Sequence, residues 1–198
     1  MSTAPRLLDV VGATCGLLVF APVVAVVAAA VWCEDRGTVL FRQERLGRNR
    51  QPFTILKFRS MRDGRVTRIG RLIRATGLDE LPQFVNILRG DMSAVGPRPL
   101  TADDVARLGW TTPQHDFRWQ SRPGLTGLAQ LACARSSGDA LELDRAYLAG
   151  RSLVLDAQLI ALSFVVNAVG KACVRGLLDR SRLVGDATPH RRRLVLRT

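Results

Sequence analysis

The sequence has few of the residues that build several common kinds of site. Only two histidines occur among its 198 residues, and the four cysteines show no C-x-x-C spacing. A zinc site and a disulfide framework are therefore both disfavoured, and a reducing cytoplasm fits the cysteine usage best. Aromatic residues form 6% of the chain and are scattered, so the sequence offers no stacking platform for nucleic-acid bases.

Acidic residues are also scarce, with 17 Asp and Glu against 29 Lys and Arg, which gives a formal charge of +12. Residues 1–33 carry only Arg6 and Asp9, which cancel, so the excess lies in residues 34–198. An uncharged apolar head on a basic body favours a place at an anionic membrane surface. A membrane-tethered nucleic-acid-binding protein is the alternative, since Lys and Arg also neutralise nucleic-acid phosphates.

The apolar head, residues 10–33, is free of charge, and 24 residues of helix reach about 36 Å. That length could cross a hydrocarbon core of about 30 Å, but Pro22 kinks or breaks a helix at its middle. A spanning helix and a re-entrant hairpin with two short halves both remain open. A cleaved signal peptide is less favoured, because one basic residue precedes the head. The Lys and Arg excess places the body in the cytoplasm in either membrane topology.

The body is predicted to combine a small β-hairpin with several helices. Residues 38–44 and 53–59 are predicted strands joined by a turn at 47–52. Predicted helices cover 66–75, which is amphipathic and basic, and 78–89, which ends at Gly90.

Two further helices are predicted at 141–149 and 152–169. Polar residues within the second favour an amphipathic helix on the core or at the bilayer interface. The tail, residues 171–198, holds eight basic residues against two acidic ones.

The adjacent carboxylates Asp79 and Glu80 admit two interpretations. Thr76 fits the N-cap of a capping box, and acidic residues in a first helical turn complement the helix dipole. Alternatively, the carboxylates form a reaction centre, because the surplus arginines around them favour phosphate. A carboxylate can attack phosphorus if arginines and a divalent metal, here Mg²⁺, neutralise the phosphoryl oxygens. Spacing alone favours the cap.

Ordered motifs along nearly the whole chain resemble the bacterial sugar transferases that are monotopic phosphoglycosyl transferases. The motifs are RLLD at 6–9, FRQERLG at 41–47, KFRSM at 57–61, LDELPQ at 78–83, GDMS at 90–93, VGPRP at 95–99, RPGLTGLAQ at 122–130 and, less strictly, residues 143–147. The resemblance implies an α+β, mainly helical fold. It also implies a re-entrant membrane helix broken at Pro22 (residues 1–36) and a cytoplasmic catalytic domain with amphipathic interfacial helices (residues 37–198).

The resemblance also implies a two-step reaction at the cytoplasmic face of the bacterial inner membrane. Asp79 attacks the sugar-bearing phosphate of a nucleotide-diphosphate sugar and releases UMP. Polyprenyl phosphate then takes the phosphosugar, while Glu80 assists as metal partner or general base. Asp79 and Glu80 are the expected Mg²⁺ ligands. The expected substrate-binding residues are Arg74, Arg98, Pro97, Pro99, Lys57, Arg59 and Arg122.

Three positions depart from the family pattern, none of them a proposed catalytic group. Ala21 stands where a serine usually precedes Pro22, Gly77 stands where a serine usually precedes Leu78, and Arg6 is alone where two basic residues are common. The absence of a D-x-D motif argues against an ordinary glycosyl transferase. Anionic lipids are expected partners, nucleic acid is not, a homodimer is left open, and an inactive structural relative is the remaining alternative.

Overall fold

The computed structural model describes residues 3–134 and 136–169. The predicted basic tail lies outside the described residues. The chain begins with one long helix, α1 (Thr3–Asp35), which is the one described helix long and apolar enough to cross a membrane. The expected break at Pro22 is wrong as an interruption, since α1 continues through it. Proline removes one helix hydrogen bond and its ring crowds the preceding turn, but its φ is helical, so a helix can continue past it with a kink.

The predicted hairpin is confirmed, although its first strand begins two residues later than predicted and its second strand one residue earlier. Strands β1 (Leu40–Leu46) and β2 (Pro52–Phe58) pair antiparallel across a 3₁₀ turn at Arg48–Arg50. A second, minimal hairpin, β3 (Met61–Arg62) with β4 (Arg65–Val66), was not predicted. Helix α2 (Arg68–Thr76) follows and is capped by Thr67, whose side chain accepts from the Gly70 amide.

The second half of the body is built from short elements. Helix α3 (Gln83–Arg89) leads into β5 (Ser93–Val95), and a parallel partner, β6 (Gly124–Thr126), lies about thirty residues later. The remaining elements are α4 (Ala102–Arg107), a 3₁₀ segment (Pro113–Gln120), α5 (Leu128–Leu131), α6 (Ser137–Ala149) and α7 (Leu153–Val169).

One face of α1 packs on the body along most of its length. Ala13 joins the apolar cluster around Ile87 of α3, whereas Val27 and Val31 join the cluster of Ile73 and Leu81. These contacts recur at the three- and four-residue spacing of one helix face. The opposite face is apolar and exposed, with Leu18, Val19 and Val26 about 70% accessible, which is the surface expected of a helix that meets lipid.

Candidate active site

A cavity of about 1080 Å³ opens between α2, the β2 strand, α7 and the loop that follows β5. Its lining brings together five of the predicted site residues, which are Lys57, Arg74, Asp79, Glu80 and Arg98. They come from four separate stretches of sequence. The volume suits a nucleotide-sized ligand, because binding pockets for small molecules usually measure about 300–1,000 Å³.

The two carboxylates lie on a short acidic turn, residues 77–81, between α2 and α3. Gly77 ends α2 with φ of +73°, a left-handed conformation that favours glycine, and residues Leu78–Glu80 then form one 3₁₀ turn. The predicted capping box at Thr76 is therefore wrong. Its hydroxyl instead donates to the Leu72 carbonyl within α2, since the helix has not yet ended there.

The acidic turn is anchored in the core by apolar side chains. Leu78 and Leu81 flank the carboxylates and pack in the cluster that contains Val31 of α1 and Ile73 of α2. This alternation leaves Asp79 and Glu80 half-buried at the cavity wall. The expected long helix at 78–89 is thus divided into a turn and α3, and the division presents both carboxylates to the cavity.

Burial and the neighbouring Glu80 charge raise the pKa of Asp79, while the cations Lys57 and Arg74 partly lower it. Glu80 has a specific partner, because its Oε1 lies 2.6 Å from the Lys57 ammonium nitrogen. Asp79 has no such ion pair among the described residues. Of the two carboxylates, Asp79 is therefore the one whose charge is not matched by an ion-pair partner among the described residues.

Arg98 reaches the cavity from an arginine loop, residues 96–100, on the opposite wall. The two prolines of this loop, Pro97 and Pro99, are buried, whereas Arg98 between them is exposed. Neither proline lines the main cavity, although Pro99 lines a smaller one beside it. The prolines thus orient the loop, and the arginine is the group that faces the ligand space.

The backbone of the arginine loop is fixed by hydrogen bonds to two other segments, β6 and the end of β1. The Gly96 amide donates to the Thr126 carbonyl at 3.0 Å, the Leu46 amide donates to the Leu100 carbonyl at 2.8 Å, and Arg45 donates to the Pro99 carbonyl at 3.3 Å. The approach to β6 is so close that a Cβ on Gly124 would stand 2.1 Å from the Gly96 nitrogen. Two motifs thirty residues apart in sequence therefore form one wall.

Besides the two prolines, two more predicted binding residues lie outside the main cavity. Arg59 pairs with Asp35 at the end of α1, and Arg122 donates to the Gly90 carbonyl at 2.7 Å. Burial and the neighbouring arginines lower the pKa of Arg122. Both side chains are thus engaged in holding elements of the fold together.

Arg118 and Asp144 line the cavity but had no predicted role. They form an ion pair with Nε and Oδ2 2.8 Å apart, and both are buried. Asp144 lies in the least strict motif of the resemblance, and the residues around Arg118 showed no pattern. No local sequence signal links two residues 26 positions apart.

The donor set suits a metal only in part. The described residues contain no group of three or more His, Cys, Asp or Glu side chains placed to hold a metal ion. Asp79 and Glu80 remain as two adjacent carboxylates beside the cavity. That set fits Mg²⁺, which commonly takes one or two carboxylates and completes its shell with substrate phosphates and water.

The sequence matches a family model described as bacterial sugar transferase over residues 1–170. It is 46% identical over 158 residues to the UDP-glucose:undecaprenyl-phosphate glucose-1-phosphate transferase of Caulobacter vibrioides, covering 71% of this chain and 58% of that protein. A Klebsiella pneumoniae protein with the same description is 36% identical over 188 residues, covering 84% of this chain and 40% of that protein.

The exopolysaccharide production protein PSS of Rhizobium leguminosarum is closer in length. It is 36% identical over 181 residues, which cover 78% of this chain and 90% of that protein. The chain thus spans most of PSS but less than two thirds of the Caulobacter and Klebsiella proteins. None of these names supports the alternative of a nucleic-acid-binding protein.

Proposed function

Because the chain belongs to the bacterial sugar transferase family, we propose that it transfers a sugar-1-phosphate from a UDP-sugar to undecaprenyl phosphate. The observation that carries this proposal is the common cavity of Asp79, Glu80, Lys57, Arg74 and Arg98. A carboxylate without an ion-pair partner faces guanidinium groups that likewise have no carboxylate partner among the described residues. Such an arrangement suits a diphosphate and a nucleophile that attacks it.

The chemistry divides into two displacements at one phosphorus atom. A carboxylate oxygen of Asp79 forms a bond to the sugar-bearing phosphorus, and the bond from that phosphorus to the bridging oxygen breaks, so UMP leaves with the electron pair. An oxygen of the acceptor phosphate then attacks the same phosphorus. The aspartyl phosphorus–oxygen bond breaks, and the Asp79 carboxylate is regenerated.

The cations of the cavity have separate tasks in this scheme. Arg98 and Arg74 bind the phosphate oxygens of the donor, since guanidinium groups can grip phosphate through two hydrogen bonds. Lys57 holds Glu80 in place through the 2.6 Å ion pair. Asp79 and Glu80 would hold Mg²⁺ together with the donor, and the ion would neutralise charge on the phosphoryl oxygens.

We further infer that α1 bends at Pro22, so that it enters the membrane from the cytoplasmic face and returns to it. At its start, Arg6 donates to the Ile87 carbonyl at 2.6 Å, and Asp9 accepts from the Ser93 hydroxyl at 2.9 Å. At its end, Glu34 accepts from the Arg68 amide at 2.7 Å. A helix that crossed the bilayer would carry one of these ends away from the body, whereas both ends bind it.

The activity is tested by incubating the purified chain in nanodiscs with undecaprenyl phosphate, Mg²⁺ and a panel of UDP-sugars. UMP released together with a lipid-linked phosphosugar supports the proposal, whereas release of UDP would indicate an ordinary glycosyl transferase. Chelation of Mg²⁺ is expected to abolish UMP release, and added Mg²⁺ to restore it. Turnover that persists under chelation would contradict the role assigned to the metal.

The topology is tested with a cysteine at Thr3 in a variant that lacks the native cysteines. Re-entry predicts that a membrane-impermeant thiol reagent labels this cysteine only after the cells are opened. A spanning helix predicts labelling from outside intact cells. A cysteine at exposed Arg71 of the body serves as the matched cytoplasmic control.

A further inference from the structure

Arg118 connects two walls of the cavity. Its Nε donates to the Asp144 carboxylate at 2.8 Å, and its Nη2 donates to the carbonyl of Arg98 at 2.6 Å. The guanidinium carbon also lies 5.2 Å from the Trp110 ring centre and 5.3 Å from that of Trp119. One planar group therefore joins α6, the 3₁₀ segment and the peptide of the arginine that faces the ligand.

Stability alone does not account for an ion pair at this place. Arg118 and Asp144 are only 4% and 3% exposed. Burial lowers the pKa of Arg118 and raises that of Asp144, each toward the neutral form. Replacing such a pair with apolar residues is often neutral or stabilising, because two charges no longer have to leave water. An apolar pair, however, could not hold the Arg98 carbonyl.

The charges around the arginine loop also indicate that Arg98 is the group held ready for a ligand. Arg98 lies close enough to Arg45 and to Arg118 for its charge to oppose each of theirs. Arg45 has Asp104 as a carboxylate partner, and Arg118 has Asp144. Arg98 has none among the described residues, so its charge remains available for an anionic ligand.

We propose that Arg118 and Asp144 are positioning residues for donor binding, which hold the Arg98 peptide so that its guanidinium meets the diphosphate of the nucleotide sugar. This inference rests on the function proposed above. Because the pair acts on Arg98, its loss weakens donor binding and slows transfer of the phosphosugar to Asp79. Discharge of the loaded phosphosugar to the acceptor does not require Arg98 in the same way.

The test replaces both charges at once, with Arg118→Met and Asp144→Leu in one protein. The full-length chain in nanodiscs is assayed for the KM of the UDP-sugar found active, for the KM of undecaprenyl phosphate, and for thermal stability. Val105→Ala is the matched control, since Val105 packs with the same two tryptophans but contacts neither charge. Arg118→Lys, which keeps the charge and loses the planar fork, is the second variant if the double variant does not fold.

The double variant is expected to raise the donor KM roughly tenfold, which corresponds to about 1.4 kcal/mol, and to leave the acceptor KM unchanged. Arg98→Ala should then raise the donor KM far less in the double variant than in the wild type, because both changes remove one interaction. An unchanged donor KM would overturn the inference, as would additive effects or an equal rise in Val105→Ala. If the wild type itself releases no UMP, the proposed function fails instead.

Discussion

The two walls of the cavity are built in different ways. The acidic turn is anchored by leucines in an apolar cluster that includes α1, and among the described residues its one ion pair joins Glu80 to Lys57. The arginine loop is held through its peptide groups, with hydrogen bonds at the Pro97, Arg98, Pro99 and Leu100 carbonyls. The wall that carries Asp79 therefore rests on α1, and the wall that carries Arg98 rests on the rest of the body.

This difference suggests how two unlike substrates meet at one carboxylate. In the proposed reaction, a lipid acceptor would approach from the side of α1, where Phe20 lines the cavity beside Leu78 and Phe84. A soluble donor would meet Arg98 on the wall that the polar network fixes. The account predicts that changes in the acidic turn alter chemistry more than stability, and that changes beneath the arginine loop alter stability and donor binding together.

Asp79→Asn is expected to have the largest effect. Loss of the nucleophile should lower UMP release by roughly a thousandfold or more. Burial and Glu80 raise the pKa of Asp79, so the folded chain binds that proton more tightly than the unfolded chain does. The stability associated with protonated Asp79 is therefore lost as pH rises through the folded pKa, and a neutral amide should not destabilise the fold at neutral pH.

Activity assays and thermal unfolding of the same preparation check both halves of this prediction. Membrane insertion should match the wild type. A variant that unfolds at a much lower temperature would show that Asp79 is a structural residue, which would remove the contrast between the two walls.

Arg98→Ala is expected to lower kcat/KM for the UDP-sugar by about a hundredfold, the usual cost of removing one preorganised donor to a charged group. Arg71→Ala is the matched control, because Arg71 is exposed on α2 and does not line the cavity. Steady-state kinetics with varied donor would show the difference. Equal losses in both variants would mean that general positive charge, and not the arginine loop, binds the donor.

Gly124→Ala should destabilise the wall beneath Arg98. The added Cβ would stand 2.1 Å from the Gly96 nitrogen and 2.3 Å from the Thr126 carbonyl oxygen, and backbone atoms cannot rotate out of its way. We expect a loss of about 3 kcal/mol in the free energy of unfolding, with a higher donor KM. Chemical denaturation in detergent measures the free energy of unfolding. A variant as stable as the wild type would contradict the close approach of Gly124 to Gly96.

Gly77→Ala should destabilise the fold less than Gly124→Ala does. The residue has φ of +73°, and a left-handed conformation costs an L-residue about 1 kcal/mol. The new Cβ would also press on the Asn167 amide, a flexible group that can move aside. Denaturation should therefore show a loss much smaller than that of Gly124→Ala. A loss as large would mean that the acidic turn is as rigidly held as the arginine loop.

The sequence predicted the elements whose patterns are local. β-Branched and aromatic residues on either side of a turn predicted the β1–β2 hairpin. Ile69, Leu72 and Ile73 at helical spacing predicted α2 to within two residues at its start and one at its end. The parallel β5–β6 pair escaped prediction, because each strand has three residues and the partners are distant in sequence. Thr76 resembled a cap because a capping box depends on where a helix starts, and the left-handed Gly77 sets that point.

The candidate site was predicted only in part, because some of its residues lie in local motifs and others are linked by contacts between distant segments. Motifs identified Asp79, Glu80, Arg74, Arg98 and Lys57, and the fold brings these five to one cavity. The roles of these residues, the magnesium ion and the homodimer remain predictions. Arg118 was missed because its function depends on a bond to the carbonyl of another residue, which no side-chain pattern records.

The most direct test of the account is to look for the covalent intermediate. The chain is incubated with Mg²⁺ and a UDP-sugar without acceptor, and the protein is then digested and analysed by mass spectrometry. We predict that the peptide containing Asp79 gains the mass of one phosphosugar, and that undecaprenyl phosphate removes it. Turnover with no adduct on Asp79, or an adduct on another residue, would contradict the assignment of Asp79 as the nucleophile.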